Sequence, residues 1–227
     1  MRIPCRDFTL EAVGAVDPGA PVVVICHPHP AFGGHLDNPL CLALDEGARA
    51  AGLAALRFNF RGVGSSGGRP TGGHAEHEDL QAVLGHARAL GATGIAVVGY
   101  SFGGLIALRA AALGEPLQAA VSVALPTTVV GDHPERLAGV AGALRSGVPW
   151  LFLSGDRDPL SELPRLRRYC DGHPSARLEV LSGEGHFFQG DGRRAVVARA
   201  IEFIGTGLGS RPPNSLPRAA QEGAHRR

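Results

Sequence analysis

A serine hydroxyl becomes a nucleophile near neutral pH only when a base stands within hydrogen-bond reach and a third group holds that base in the right tautomer. The chain offers a serine suited to that work in Gly99-Tyr100-Ser101-Phe102-Gly103, a G-x-S-x-G pentapeptide. The apolar run Gly94 to Val98 precedes it and a helical pattern, Gly104 to Leu113, follows, so the segment reads as strand, sharp turn and helix. Residues two positions either side of a serine at such a tip crowd each other, and glycine at 99 and 103 removes the side chains that would collide. The turn also puts Ser101 at the mouth of a helix, where N–H groups such as that of Phe102 can hydrogen-bond a developing negative charge.

A base and an orienting acid lie downstream. His186 sits in the loop Gly183-Glu184-Gly185-His186-Phe187-Phe188, after a strand pattern from Arg177 to Leu181. The loop Ser154-Gly155-Asp156-Arg157-Asp158-Pro159, after the short strand pattern Pro149 to Leu153, supplies two aspartates, and Asp132 is a more remote acid. His173, beside Pro174 in a turn, reads as structural.

The elements that must position these groups alternate along the chain. Phe8 to Val16 reads as an edge strand ending at the turn Asp17-Pro18-Gly19. Pro21 to Cys26 and Leu53 to Phe58 are apolar runs without a polar face, the mark of strands buried on both sides in a parallel sheet. Leu117 to Leu125 reads as another apolar strand. Helical spacing spans Leu40 to Ala51, Glu76 to Leu90, Arg136 to Leu144, Leu160 to Cys170 and Arg194 to Ile204. The alternation predicts an α/β domain over 1–207, a mostly parallel sheet wrapped by helices, with ligands at the carboxyl ends of the strands. The segment 208–227, rich in Pro, Arg and Ser, is expected to be a disordered tail.

Bulk composition narrows the function. With 227 residues and a formal net charge of +1, the chain has room for one large core and no charge block that would favour nucleic acid or an anionic membrane. All 22 cationic side chains are arginine. Cys5, Cys26, Cys41 and Cys170 lack C-x-x-C spacing, and the N-terminus has no apolar leader, so a cytoplasmic location is expected. No apolar run approaches a membrane span. Gly62-Val63-Gly64-Ser65-Ser66-Gly67 follows a strand with G-x-G-x-x-G spacing, but the acidic residue a dinucleotide fold needs about 20 residues on would fall inside the next helix. His27 and His29 form H-x-H without a third ligand at metallohydrolase spacing, so no metal or other cofactor is expected. His74 and His77 are expected to face solvent, and Arg61 to brace its loop.

Taken in order, His27-Pro28-His29-Pro30 with Gly33-Gly34, Arg57-Phe58-Asn59-Phe60-Arg61-Gly62-Val63-Gly64, Gly99-Tyr100-Ser101-Phe102-Gly103-Gly104 and Gly185-His186-Phe187-Phe188 resemble the α/β-hydrolase superfamily, and within it small lidless bacterial serine hydrolases. The resemblance spans about residues 20 to 205 and implies the chain order nucleophile, acid, base. By position it implies Ser101 as nucleophile, His186 as base and Asp158, favoured over Asp156, as acid. It also implies an oxyanion hole from the N–H groups of Phe102 and His29, the neighbouring Pro28 and Pro30 having none to give. The implied chemistry is acyl transfer to water; few aromatic residues, no lid insertion and a short chain add the expectation of small or medium acyl esters or thioesters as substrate partner, in a shallow pocket lined by Phe32, Leu36 and Phe187. A binding protein on an idle scaffold, or a cofactor-free haloperoxidase or perhydrolase with the same residues, are the alternatives. The oligomeric state is left open.

Overall fold

The computed structural model describes residues 1–128 and 134–209. Among them, β1 (Arg2–Cys5), β2 (Phe8–Gly14), β3 (Val22–Cys26), β4 (Ala54–Phe58), β5 (Ile95–Tyr100), β6 (Ala119–Val123), β7 (Trp150–Gly155) and β8 (Ala176–Leu181) form one sheet, in the order β1-β2-β4-β3-β5-β6-β7-β8. Strands β3 to β8 pair in parallel; β1 and β2 join one side antiparallel.

Every residue of β3, β5, β6 and β7 is buried, as their largely apolar runs require. Side chains alternate across a strand, so one sheet feeds two cores. Val22, Val24 and Cys26 share one core with Leu80 of α2 (Glu76–Ala89), Ile106 of α3 (Phe102–Ala112), Val140 of α4 (Pro134–Arg145) and Leu166 of α5 (Leu163–Cys170). On the other face Val23 and Ile25 share a second core with Leu44 of α1 (Pro39–Ala50) and Val196 and Ile204 of α6 (Gly190–Gly207). Each such side chain, fully buried, contributes roughly 1.5–3 kcal/mol. The result is a stiff platform for the loops above it.

The connection after β3 leads to β4 on one side, and the chain then crosses back to place β5 on the other. A crevice therefore opens over the carboxyl ends of β3 and β5, the usual ligand position in open α/β sheets. Cys26 is in register with both Phe58 and Gly99, and Gly155 with Leu181, so the loops leave the sheet at a common level.

Several expectations need correction. Strand β2 is not an edge, because Arg2–Cys5 pairs along it through a two-residue turn at Arg6-Asp7, with Arg6 at φ 53°. Only Ile3 and Cys5 are buried in that four-residue strand, too short an alternation to read in advance. Helix α5 begins at Leu163 rather than Leu160, since Ser161 turns inward to bond Ser154, Oγ to Oγ 3.0 Å. Helix α6 outruns its expected ends, running from Gly190, at φ 47°, to Gly207, which packs so closely on β6 that a Cβ there would lie 2.6 Å from that of Ala119. Leu208, placed in the tail by sequence, packs on the second core, while the tail from 210 to 227 lies outside the described residues. Among the described residues no helix is long and apolar enough to cross a membrane.

Candidate active site

Ser101 stands between β5 and α3 with φ 52° and ψ −112°, a strained conformation for a residue with a side chain. Its N–H donates to the Val123 carbonyl at 2.7 Å, which pins the turn to the neighbouring strand. A Cβ on Gly99 would lie 2.4 Å from the Gly103 carbonyl, and one on Gly103 would lie 2.4 Å from the Cys26 oxygen. The two glycines thus let α3 start directly against the ends of β3 and β5. Phe102, at the first position of α3, has an N–H for which the helix supplies no acceptor.

The loop after β8 brings His186 to this turn. Its Nε2 lies 3.1 Å from Ser101 Oγ and its Nδ1 2.8 Å from Asp158 Oδ2. The carboxylate opposite Nδ1 draws the ring proton there and leaves Nε2 as acceptor for the serine hydroxyl. The Asp158 side chain is fully buried, and its second oxygen accepts from the Leu160 N–H at 2.8 Å. Asp156, two residues away, does something else: it accepts from Ser182 Oγ at 3.0 Å and the Gly183 N–H at 2.7 Å. It staples the start of the histidine loop, which crosses β7 so closely that a Cβ on Gly155 would lie 2.1 Å from the Glu184 oxygen. Asp132 lies outside the described residues.

The loop after β3 closes the other side. The His29 ring packs edge-on against Phe102, centroids 4.8 Å apart, and its carbonyl accepts from the Phe32 and Gly34 N–H groups at 3.0 and 3.1 Å. His27 proves to be a strut, a role its H-x-H spacing did not suggest. Its Nδ1 donates to the Pro28 carbonyl at 2.6 Å and its Nε2 accepts from the Phe60 N–H at 3.1 Å, tying this loop to the one after β4. Burial pulls the His27 pKa down to about 4, so the ring is neutral at pH 7. Arg61 braces the glycine-rich loop as expected, with Nε and Nη2 donating to Asp79 Oδ1 at 2.9 and 2.7 Å. His74 is exposed, but His77 is half-buried with an unpartnered Nδ1, and burial lowers its pKa. Among the described residues no cluster of three or more His, Cys, Asp or Glu could hold a metal ion.

Ser101 and His186 open into a cavity of about 440 Å³ walled by Leu105, Pro126 and Leu160. Phe32 and Phe187 stand at its mouth, 89% and 73% exposed. Leu36 does not line it: the side chain is buried, its N–H bonds Asn59 Oδ1 at 2.7 Å and its carbonyl accepts from Arg57 at 2.8 Å. Asn38 and Tyr100 do line it and were not anticipated. An Asn-Pro pair opening a helix and the variable position inside G-x-S-x-G were the signals available for them. No Asp, Glu or Arg is among its described lining residues.

A strained serine turn, with histidine and aspartate delivered to it by the loops after the last two strands of an open α/β sheet, is the arrangement of a serine hydrolase of the α/β class. A model of the alpha/beta hydrolase fold matches residues 21–135, and the chain belongs to that family. It is similar to an α/β serine hydrolase homologue from Coxiella burnetii, with 30% identity and a TM-score of 0.74 over 89% of this chain and 95% of that one. An α/β serine hydrolase without a lid from Xanthomonas campestris is alike in fold, at 24% identity and a TM-score of 0.70 over 95% of both chains. An uncharacterised protein of Rickettsia prowazekii is 25% identical over 183 residues, 77% of this chain and 75% of that one.

Proposed function

We propose that the chain hydrolyses carboxylic ester-type bonds, in small or medium acyl esters or thioesters, through an acyl-enzyme on Ser101. The observation that carries this reading is the line of hydrogen bonds from Asp158 through His186 to Ser101, at 2.8 and 3.1 Å, on the floor of an apolar cavity.

Ser101 Oγ attacks the substrate carbonyl carbon while its proton passes to His186 Nε2. The charge that develops on the carbonyl oxygen is taken up by the N–H groups of Phe102 and His29; one such donor contributes about 10²–10³ in rate. His186 then delivers its proton to the departing oxygen or sulfur as that bond breaks. A water attacks the acyl-enzyme, giving a proton to Nε2, and collapse returns that proton to Ser101 and releases the acid. Asp158 stays ionised throughout and stabilises the imidazolium. None of these steps uses a cofactor. The absence of charged groups among the described lining residues favours a neutral acyl group.

Intact mass spectrometry after treatment with a fluorophosphonate tests the reading. A single adduct on the wild type and none on Ser101→Ala is expected, together with ester turnover lost in the variant. Turnover persisting in Ser101→Ala would move the nucleophile elsewhere, and a folded wild type that takes no adduct would favour an idle scaffold.

A further inference from the structure

We infer that Tyr100 is a positioning residue for His186, holding by its hydroxyl the main chain of the histidine whose ring meets Ser101. The inference deepens the proposed chemistry and rests on it. The Tyr100 hydroxyl is buried and donates to the His186 carbonyl at 2.9 Å, across 86 positions of sequence. Burial pushes the phenol pKa up, so the hydroxyl keeps its proton and remains a donor at neutral pH.

The position of this bond gives it its importance. The histidine loop is secured at its start, where Asp156 accepts from Ser182 and Gly183 and the Arg157 N–H donates to the Glu184 carbonyl at 2.9 Å. Beyond that point, among the described residues, the bond from Tyr100 is the one hydrogen bond made by the main chain of residues 185–187. Phe187, next in sequence, is 73% exposed and anchors nothing in the core, which the chain rejoins at the buried Phe188.

Tyr100 and Ser101 are adjacent, and together they hold His186 at both ends: the phenol at the carbonyl, the serine hydroxyl at Nε2, 3.1 Å away. A closed circuit results, one covalent link and two hydrogen bonds, built on the end of β5. That strand end is itself fixed, because every residue of β5 is buried and the Ser101 N–H bonds the Val123 carbonyl. The separation of nucleophile and base is thereby referred to a single rigid element instead of to two independent loops. Geometry between reacting groups is where small displacements cost most in rate.

The test is Tyr100→Phe, which removes the hydroxyl and keeps the ring against the cavity. With a neutral ester, kcat is expected to fall about ten-fold or more while KM stays within about two-fold. A raised KM with unchanged kcat would make Tyr100 a wall of the binding cavity and overturn the inference, as would no change in either. Ser182→Ala, which loosens the far end of the same loop, is the comparison; an equal fall in kcat there would assign the effect to loop stability in general. Proton NMR gives a readout that needs no turnover: the low-field resonance of the His186 Nδ1–H shared with Asp158 is expected to broaden in Tyr100→Phe and to persist in Ser101→Ala. A sharp, unshifted resonance in folded Tyr100→Phe would sink the inference even if the protein proved to hydrolyse nothing. Conversely, loss of fluorophosphonate labelling in the wild type would strike the hydrolase reading and leave the NMR result to judge Tyr100.

Discussion

The serine turn and the histidine loop meet at one hydrogen bond but are held in place by opposite means. Residues 99–104 are shaped from within: two glycines make room, the serine takes an unfavourable φ of 52°, and the helix starts at once. Residues 182–188 have no regular structure of their own and take their shape from outside, from Asp156 at one end and from Tyr100 and the burial of Phe188 at the other. The turn stores strain that its surroundings over-determine, whereas the loop is a tethered strap. A local fault should therefore destroy the first, and a distant one should slacken the second.

The largest effect is expected from Gly103→Ala. The new methyl would lie 2.4 Å from the Cys26 oxygen and 2.8 Å from its carbonyl carbon, backbone atoms of the buried strand β3 that cannot step aside. Overpacking of this kind costs about 3 kcal/mol or more, read as a lower urea midpoint, and fluorophosphonate labelling should vanish with it. Native stability and labelling in that variant would mean that the turn does not depend on its close approach to β3.

The two aspartates sharpen the other half of the comparison. Asp158 touches the imidazole and Asp156 touches only the strap, though one residue separates them. Asp158→Asn should lower kcat by about 10³–10⁴, because the amide no longer enforces the productive tautomer. Asp156→Asn should lower it by about ten-fold or less, accompanied by a lower melting temperature. Reversed ranking would exchange their roles.

The same contrast explains what could be read in advance. Ser101 with its glycines was legible because the steric demands of such a turn, Gly99 against Gly103 and Gly103 against the end of β3, dictate residue types at fixed spacing. The buried parallel strands were legible for a like reason, as a run such as Val22 to Ile25 has few other uses. His186 and Asp158 could be named only by their place after strands and by resemblance, and the division of labour between Asp156 and Asp158 is a matter of side-chain direction that spacing does not encode. The Tyr100 tether and the His27 strut join residues 86 and 33 positions apart, so no local pattern announces them. Leu36 was misplaced for the converse reason: an apolar residue near the site can equally be core, and the Asn59 and Arg57 bonds that turn it inward come from another strand's end.

The loop after β3 falls between the two types, with prolines inside it and long-range bonds near both ends, the Phe60 N–H donating to His27 and Leu36 bonding Asn59 and Arg57. Its behaviour in acid tests that mixed character. The His27 pKa is about 4 when folded against an ordinary value of 6.5, so below pH 6.5 the unfolded chain takes up a proton that the folded one refuses. Stability from this group is complete above pH 6.5, declines as the pH falls and levels off below about pH 4, a loss of about 3 kcal/mol. His27→Gln has nothing to titrate there. Its urea midpoint should be lower at pH 7 but flatter between pH 6.5 and 4, and a slope equal to the wild type's would remove His27 from the account.

The smallest effects should come from the exposed rings, one on each loop and each edge-on to that loop's own histidine: Phe32 to His29 at 5.4 Å and Phe187 to His186 at 5.3 Å. Truncating an exposed side chain changes stability by only about 0.5 kcal/mol. Either ring would add apolar contact to an acyl chain reaching the cavity mouth, worth about 1 kcal/mol, or several-fold in kcat/KM. Phe187→Ala should therefore lower the preference for octanoate over acetate esters by that factor. Chain-length preference is the informative quantity because it separates a contact with substrate from a contact with the base. If Phe187 helped to hold His186, acetate and octanoate turnover would fall together and the ratio would not move. A constant ratio would add the ring to Asp156 and Tyr100 as a third restraint on the strap, whereas a falling ratio leaves the histidine held from behind and the aromatic face turned to the substrate.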